Sequence, residues 1–331
     1  MSGAVFAALA IGLAIGVLGQ RTHFCTMGAL ADFFLFGSMR RLRGFVLAAA
    51  LALLAVQGLR LAGLPLAETP PPPAAGWPGA VLGGVLFGFG MVLAGGCWSR
   101  NLVRLGTGSL KALLVVAVAA LTAAVVQQGL LTDGTSWLGQ LVPVPASTTL
   151  GTKLGAPIGA LMGLAAIAWC LADPAFRASG RDLSVGVTLA MLIIAGWLVA
   201  MREPTFPGVN FALAMTAMTR LDSAGLGAAH QLGWALVLGT VGGAFGAAWA
   251  ARRLRLETFG TRNDMVQHIV GAVLLGAGGA LAGGCTIGQG LSGLAAMLPT
   301  APVATAGMAG GARWALHYLE TGRLWPVRAT S

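Results

Sequence analysis

The tetrapeptide Ala-Gly-Gly-Cys occurs twice, at 94–97 and at 282–285, a little over half the chain apart. Each copy ends a glycine-laced apolar run, 87–90 before the first and 275–279 before the second, and each leads through a small polar segment into another apolar run. A glycine pair lets the backbone bend sharply and lets neighbouring groups approach closely. The cysteine directly behind it then stands where a new short helix begins. A chain that does this twice is built of two related halves, and its fold has to bring two equivalent turns into equivalent places. The repeat predicts a paired pore-lining element.

The surroundings of the turns are apolar. Runs long enough to cross a bilayer recur from end to end, with 56% hydrophobic and 9% charged residues and a mean hydropathy of +0.82. Soluble proteins carry about 25% charged residues, so a soluble domain is excluded. The runs are continuous and do not alternate over about ten residues as barrel strands do. The expected class is therefore an all-α polytopic membrane protein. A net charge of +10 does not point to nucleic acid, because the basic residues cluster between apolar runs, as orientation signals do. Their secondary effect is a field that favours an anion. The four cysteines, at 25, 97, 170 and 285, offer neither a CxxC pair nor metal-ligand spacing, so no disulfide framework, metal or cofactor is expected. The first apolar run lacks a basic leader and reads as a span.

Taken in order, the spans are expected at 3–19, 44–63, 77–96, 112–131, 154–172, 183–201, 225–251, 265–284 and 302–319. Between them lie pieces too short to cross a core that needs about 20 residues. They are 26–37 after the polar cluster at 20–25, 98–109 after the first glycine turn, 211–220 after a proline-broken segment, and a last piece after Cys285. Such re-entrant structure is tolerated where protein or water covers the backbone. The broken segment at 202–210 resembles 20–25 in placement, although Pro207 falls near where a cysteine would be. The four prolines at 70–73 read as a stiff spacer. Nine spans divide into four, a linker at 154–172, and four more. The single transmembrane domain, 1–331, then consists of inverted halves, about 1–150 and 174–331, the plan of many transporters. Arg40, Arg41, Arg43, Arg177, Arg181, Arg252, Arg253, Arg255 and Arg262 follow odd spans and Arg323 and Arg328 lie in the C-terminal tail, whereas even spans are followed by little beyond Arg60 and Lys153, leaving aside Arg202 and Arg220 in the broken segment. The positive-inside rule puts the N-terminus outside and the C-terminus in the cytoplasm.

Three segments carry a family resemblance. Gln20-Arg21-Thr22-His23-Phe24-Cys25, Gly95-Gly96-Cys97 and Gly283-Gly284-Cys285-Thr286-Ile287-Gly288-Gln289-Gly290 resemble the signature segments of the YeeE/YedE sulfur-transport family. The resemblance covers essentially the whole chain. It implies an inverted-repeat helical bundle, not an enzyme, that takes up thiosulfate across the bacterial inner membrane. It also implies that Cys25, Cys97 and Cys285 line the path and that a separate cytoplasmic sulfur-carrier or sulfurtransferase protein is a partner. Cys170 matches no signature and reads as a packing residue.

The chemistry is consistent with that expectation. A neutral thiol is a weak donor and a weak acceptor, able to hydrogen-bond the soft terminal sulfur of thiosulfate without gripping it. A path needs sites favourable enough to enter and weak enough to leave. Backbone N–H groups of Gly95, Gly96, Gly283 and Gly284, at short-helix N-termini, are candidates to hold the oxygens, with Gln289 and Asn210 as neutral donors. Arg21, His23 and Arg100 either attract the anion or anchor at the interface. Asp32 is expected to pair with an arginine, since a lone carboxylate is costly in a membrane, and Arg202 with Glu203. Gly84/Gly88 and Gly242/Gly246 form GxxxG faces for helix packing. The competing functions are transport of another sulfur or selenium oxyanion, a membrane thiol oxidoreductase, and a scaffold for a cytoplasmic sulfurtransferase.

Overall fold

The computed structural model describes residues 3–63, 76–128, 155–203, 205–206, 208–219 and 227–323. The polyproline spacer and Pro207 lie outside the described residues. Each expected span is a helix. They are α1 (Gly3–Thr22), α3 (Arg40–Leu61), α4 (Trp77–Leu93), α6 (Leu110–Gln128), α7 (Gly155–Leu171), α9 (Gly180–Arg202), α11 (Ala228–Ala250), α12 (Arg262–Leu281) and α13 (Thr300–Thr321). Among the described residues, 7 stretches are long and apolar enough to cross a membrane. The exceptions are α7 and α13. With 17 residues and a rise of about 1.5 Å per residue, α7 falls short of a hydrocarbon core about 30 Å thick. The 22 residues of α13 suffice in length but are less apolar.

The expected short pieces are present as well. They are α2 (Thr26–Phe36), α5 (Trp98–Gly106), α10 (Phe211–Thr219) and a π-helical turn, Gly288–Gly293. A single turn of helix, α8 (Pro174–Arg177), joins α7 to α9 and is capped by Asp173.

Packing places each helix of one set against the other set. Helix α1 lies on α11 and α3 on α9; α4 lies on α13 and α6 on α12; α2 touches α13 and α10 touches α6; α5 meets α11 and the π turn meets α3. The crossings are close because glycines face one another. A Cβ on Gly12 or Gly16 of α1 would run into the Leu236 or Thr240 carbonyl of α11, and one on Gly239 or Gly243 would run into Leu9 or Leu13 of α1. The same reciprocity joins Gly84 and Gly88 of α4 to Gly307 and Gly311 of α13. Without a hydrophobic drive between helices in lipid, this backbone approach is what holds them together.

The GxxxG face expected at Gly242/Gly246 is not the one used. A Cβ at Gly246 would meet nothing within 4 Å, and one at Gly242 would meet only Leu13 Cδ2 at 3.8 Å. The packed face is Gly239/Gly243, which faces α1 on the adjacent side of the helix. Two choices of GxxxG register, 239/243 and 242/246, overlap in this helix, and the position of α1 selects one of them.

Asp32 pairs with Arg41 at 3.2 Å, as expected. Arg40 pairs with Asp182 at 3.6 Å, and Arg43 with Asp173. Arg202 and Glu203 form no ion pair with each other; the chain leaves helical geometry at Glu203, φ −128° and ψ 90°.

Candidate functional site

Two identical backbone closures create the glycine turns. At the end of α4, Gly95 N–H donates to Val92 O at 3.3 Å and Gly96 N–H to Met91 O at 2.8 Å. At the end of α12, Gly283 N–H donates to Ala280 O at 3.4 Å and Gly284 N–H to Gly279 O at 3.0 Å. This six-to-one, five-to-two pattern is the Schellman motif, which requires a left-handed residue at its first bend. Gly95 (φ 70°) and Gly283 (φ 67°) supply it. The cysteine that follows each pair then opens the next segment: Asn101 N–H donates to Cys97 O at 3.0 Å and Gln289 N–H to Cys285 O at 2.7 Å.

The other two short helices begin in the same way. Cys25 is extended (φ −152°, ψ 124°) at the head of α2, and Ala29 N–H donates to its carbonyl at 2.9 Å. The bend before it comes from His23, at φ 52°, a conformation in which histidine is enriched among non-glycine residues. Asn210 heads α10, with Ala214 N–H on its carbonyl at 2.9 Å and Leu213 N–H on its Oδ1 at 3.3 Å. Asn210 therefore stands in α10 where Cys25 stands in α2, three residues beyond the proline that sequence reasoning compared with the cysteine.

These starts come together. Cys97 is within electrostatic reach of both Cys25 and Cys285. The Cys285 sulfur accepts from Gly288 N–H at 3.3 Å and also faces the N–H of Phe211, the first residue of α10. Asn210 Nδ2 donates to Gly283 O at 3.2 Å. Cys97 and Cys285 are each 1% exposed, and Cys25 is half-buried. Cys97 Sγ lies 3.3 Å from Ser99 Oγ. What converges is three thiols, one carboxamide and the open N–H groups of short helices, an arrangement that suits a small anion. Cys170 is elsewhere, packed between α7 and α3 with Leu47 and Phe176 and directed at Arg43 O at 3.5 Å.

The basic candidates separate. His23 is within electrostatic reach of Arg41, Arg100, Arg181 and Arg253. A cavity of about 320 Å³ is lined by Thr22, His23, Phe24, Arg41, Arg181 and Asp182, among others. Arg100 is within electrostatic reach of both His23 and Cys25. Arg21 stays exposed at the end of α1. The amide of Gln289 holds Ala282 O through Nε2 at 2.7 Å, so one of its two amide hydrogens is committed to the turn, as is one of Asn210's.

A model of the family described as Sulphur transport matches residues 21–314. The chain belongs to the sulphur transport family. It is similar to the thiosulfate transporter TsuA of Escherichia coli (strain K12), 28% identical over 316 residues that cover 87% of this chain and 86% of the relative. It is also 28% identical to the thiosulfate transporter TsuA of Spirochaeta thermophila over 313 residues, 88% of this chain and 91% of that one. A shorter match, 33% over 92 residues, covers 27% of this chain and 21% of the probable transporter YedE of Escherichia coli (strain K12).

This member of the sulphur transport family, a multi-pass membrane protein, has site residues that sequence reasoning passed over. Asn101 Nδ2 donates to Gly96 O at 2.8 Å and to Cys97 O at 3.2 Å, doing for the first turn what Gln289 does for the second. The signal was in the chain, since each amide stands four residues behind its cysteine. Trp98 and Thr286, each directly behind a cysteine, were also missed. Both have a buried polar atom, Nε1 and Oγ1 respectively, with no partner among the described residues.

Proposed function

We propose that this protein carries thiosulfate across the bacterial inner membrane, along a path lined by Cys25, Cys97 and Cys285. The observation that carries the reading is the convergence of three thiol-headed helix starts inside the bundle. The similarity to two proteins named thiosulfate transporters supports the choice of anion. In this reading the thiols are neutral and hydrogen-bond the terminal sulfur in passing, because a thiolate would repel a dianion. Backbone N–H groups at the helix starts hold the oxygens.

Two inverted halves, about 1–150 and 174–331, joined through α7, complete the proposal. Exchanging α1–α6 with α9–α13, the π turn taking the place of α5, maps the observed helix pairings onto each other. The basic segments gather on one face: Arg40, Arg41 and Arg181 line one cavity and Arg253 is nearby. That supports a cytoplasmic C-terminus and a periplasmic N-terminus. The test is uptake of labelled thiosulfate by proteoliposomes holding the purified protein. Uptake above that of protein-free vesicles, competed by unlabelled thiosulfate more strongly than by sulfate or selenite, is the expected result. No uptake would end the proposal, and stronger competition by selenite would transfer it to a selenium anion.

A further inference from the structure

Thiosulfate has two chemically different ends, and the thiols answer only one of them. The terminal sulfur is soft and the three oxygens are hard, so a site for the whole ion needs donors of another kind. Trp98 is 0% exposed, yet its indole nitrogen has no acceptor among the described residues. A buried N–H left without a partner costs about 1–3 kcal/mol, and nearly all such groups in proteins are satisfied. This one heads α5, directly behind Cys97.

Its nitrogen lies against a glycine: Nε1 is 3.3 Å from the Cβ that a residue at 279 would have, with Ala212 Cβ and Phe87 Cδ2 each 3.5 Å from the same point. Ala212 follows Phe211, whose N–H faces the Cys285 sulfur. The indole of the first turn thus lies between α12 and the start of α10, where the second turn is anchored. The counterpart of Trp98 in the second turn is Thr286. It is 3% exposed, and its hydroxyl also has no partner among the described residues. Two buried polar groups without a partner among the described residues stand at the same offset from the two repeated cysteines, and each carries a desolvation cost that packing alone does not offset.

We infer that Trp98 Nε1–H, with the Thr286 hydroxyl as its counterpart, binds the oxygens of the transported oxyanion and so determines specificity alongside the thiols. The inference rests on the transport reading above. An indole N–H has no acceptor lone pair, so it serves anionic oxygen and nothing that must donate to it. Being uncharged, it does not trap a dianion as a buried lysine or arginine would, which meets the requirement that a conduction site release its ion.

Thr286→Val removes the hydroxyl and nearly conserves shape, and Trp98→Phe removes the indole N–H together with part of the ring. In proteoliposomes each substitution is expected to raise the half-saturating thiosulfate concentration about tenfold, the effect of losing one hydrogen bond to a charged ligand, with the maximal rate within about twofold. A purely structural role would instead lower the amount of folded protein and leave the half-saturation point alone. Indole ¹H–¹⁵N resonances supply a second readout: the peak absent from Trp98→Phe should move when thiosulfate, but not chloride at equal ionic strength, is added to the wild-type protein. If wild type takes up thiosulfate and both variants keep its half-saturation point, the inference is wrong. If Trp98→Phe does not fold, Thr286→Val decides by the same criterion. If wild type itself takes up none, the transport reading has failed and this one with it.

Discussion

Asn210 and Gly283 lie 73 residues apart in the chain, and the side-chain amide of the first donates to the carbonyl of the second at 3.2 Å. The same asparagine caps α10 through Oδ1, so one side chain fastens the start of a short helix to the glycine turn ahead of Cys285. Asn210→Ala removes both bonds and should cost about 1–3 kcal/mol, seen as a lower Tm in detergent. Asn210→Asp keeps the cap, loses the donation to Gly283 and adds a negative charge beside Cys285. It should unfold at a lower temperature than Asn210→Ala does, because a lone buried carboxylate facing a carbonyl oxygen is costly, and transport far less. Wild-type uptake by the aspartate variant would remove Asn210 from the site.

The cysteines should divide by location. Cys97→Ala and Cys285→Ala are expected to abolish thiosulfate uptake while leaving folding intact, since each removes a small group at a helix start. Cys170→Ala should cost about 1 kcal/mol, comparable to deleting one buried methyl-sized group, and leave uptake nearly unchanged. Comparable losses in Cys97→Ala and Cys170→Ala would show that the position of a thiol does not matter. Serine at 97 or 285 gives a further distinction: partial uptake is expected from a hydrogen-bonding role, none from a redox role.

Two glycines three residues apart on α11 should respond oppositely. A Cβ at Gly243 would strike the Leu13 carbonyl of α1, whereas one at Gly246 would meet nothing within 4 Å. Gly243→Ala should destabilise by about 1–3 kcal/mol or more through overpacking. Gly246→Ala should be neutral or stabilise by about 0.5–1 kcal/mol, because alanine costs less entropy than glycine in a helix. Detergent unfolding temperatures measured side by side decide it, and equal shifts would mean that α1 and α11 do not cross at this face.

A carboxylate outside the spans gives an acid dependence. Arg104 Nη2 donates to Glu257 Oε2 at 2.9 Å and Ser109 Oγ to the same oxygen at 2.7 Å. The Arg104 hydrogen bond, ahead of that from Ser109, holds the Glu257 carboxyl below its ordinary value of 4.5. A carboxyl lowered on folding stabilises fully above its unfolded value, and the contribution fades as pH falls from there through the folded one. The Tm difference between wild type and Glu257→Gln should therefore be constant between about pH 6 and 8 and shrink below 4.5. A difference that grew on acidification would contradict the sign of this linkage.

The helices and their breaks were legible because membrane spans announce themselves by apolar length, and a glycine pair before a cysteine announces a turn. The places of Cys97 and Cys285 at helix starts followed from that, and the place of Cys25 from the polar cluster ahead of an apolar piece too short to span. Less was legible where a side chain's role depends on what lies opposite. Asn101 looked like any polar residue of a short helix, and only its reach back to Gly96 O and Cys97 O shows that it clamps the turn. Trp98 looked like bulk apolar filling, because a sequence does not say whether an indole N–H finds an acceptor. The register of α11 was misread for a related reason: Gly239, Gly242, Gly243 and Gly246 permit more than one face, and the choice is made by a helix more than 200 residues away in sequence.

The reciprocal glycine crossings have a mechanical consequence. Backbone meets backbone between α1 and α11 and between α4 and α13, so rolling one helix over its partner would drive carbonyl oxygens into facing α-carbons along two seams at once. A large swing of that kind is the airlock by which many carriers admit cargo, and this architecture resists it. In the proposed transport reading, motion then falls to side chains at the helix starts, as in a sieve whose mesh relaxes locally around each ion.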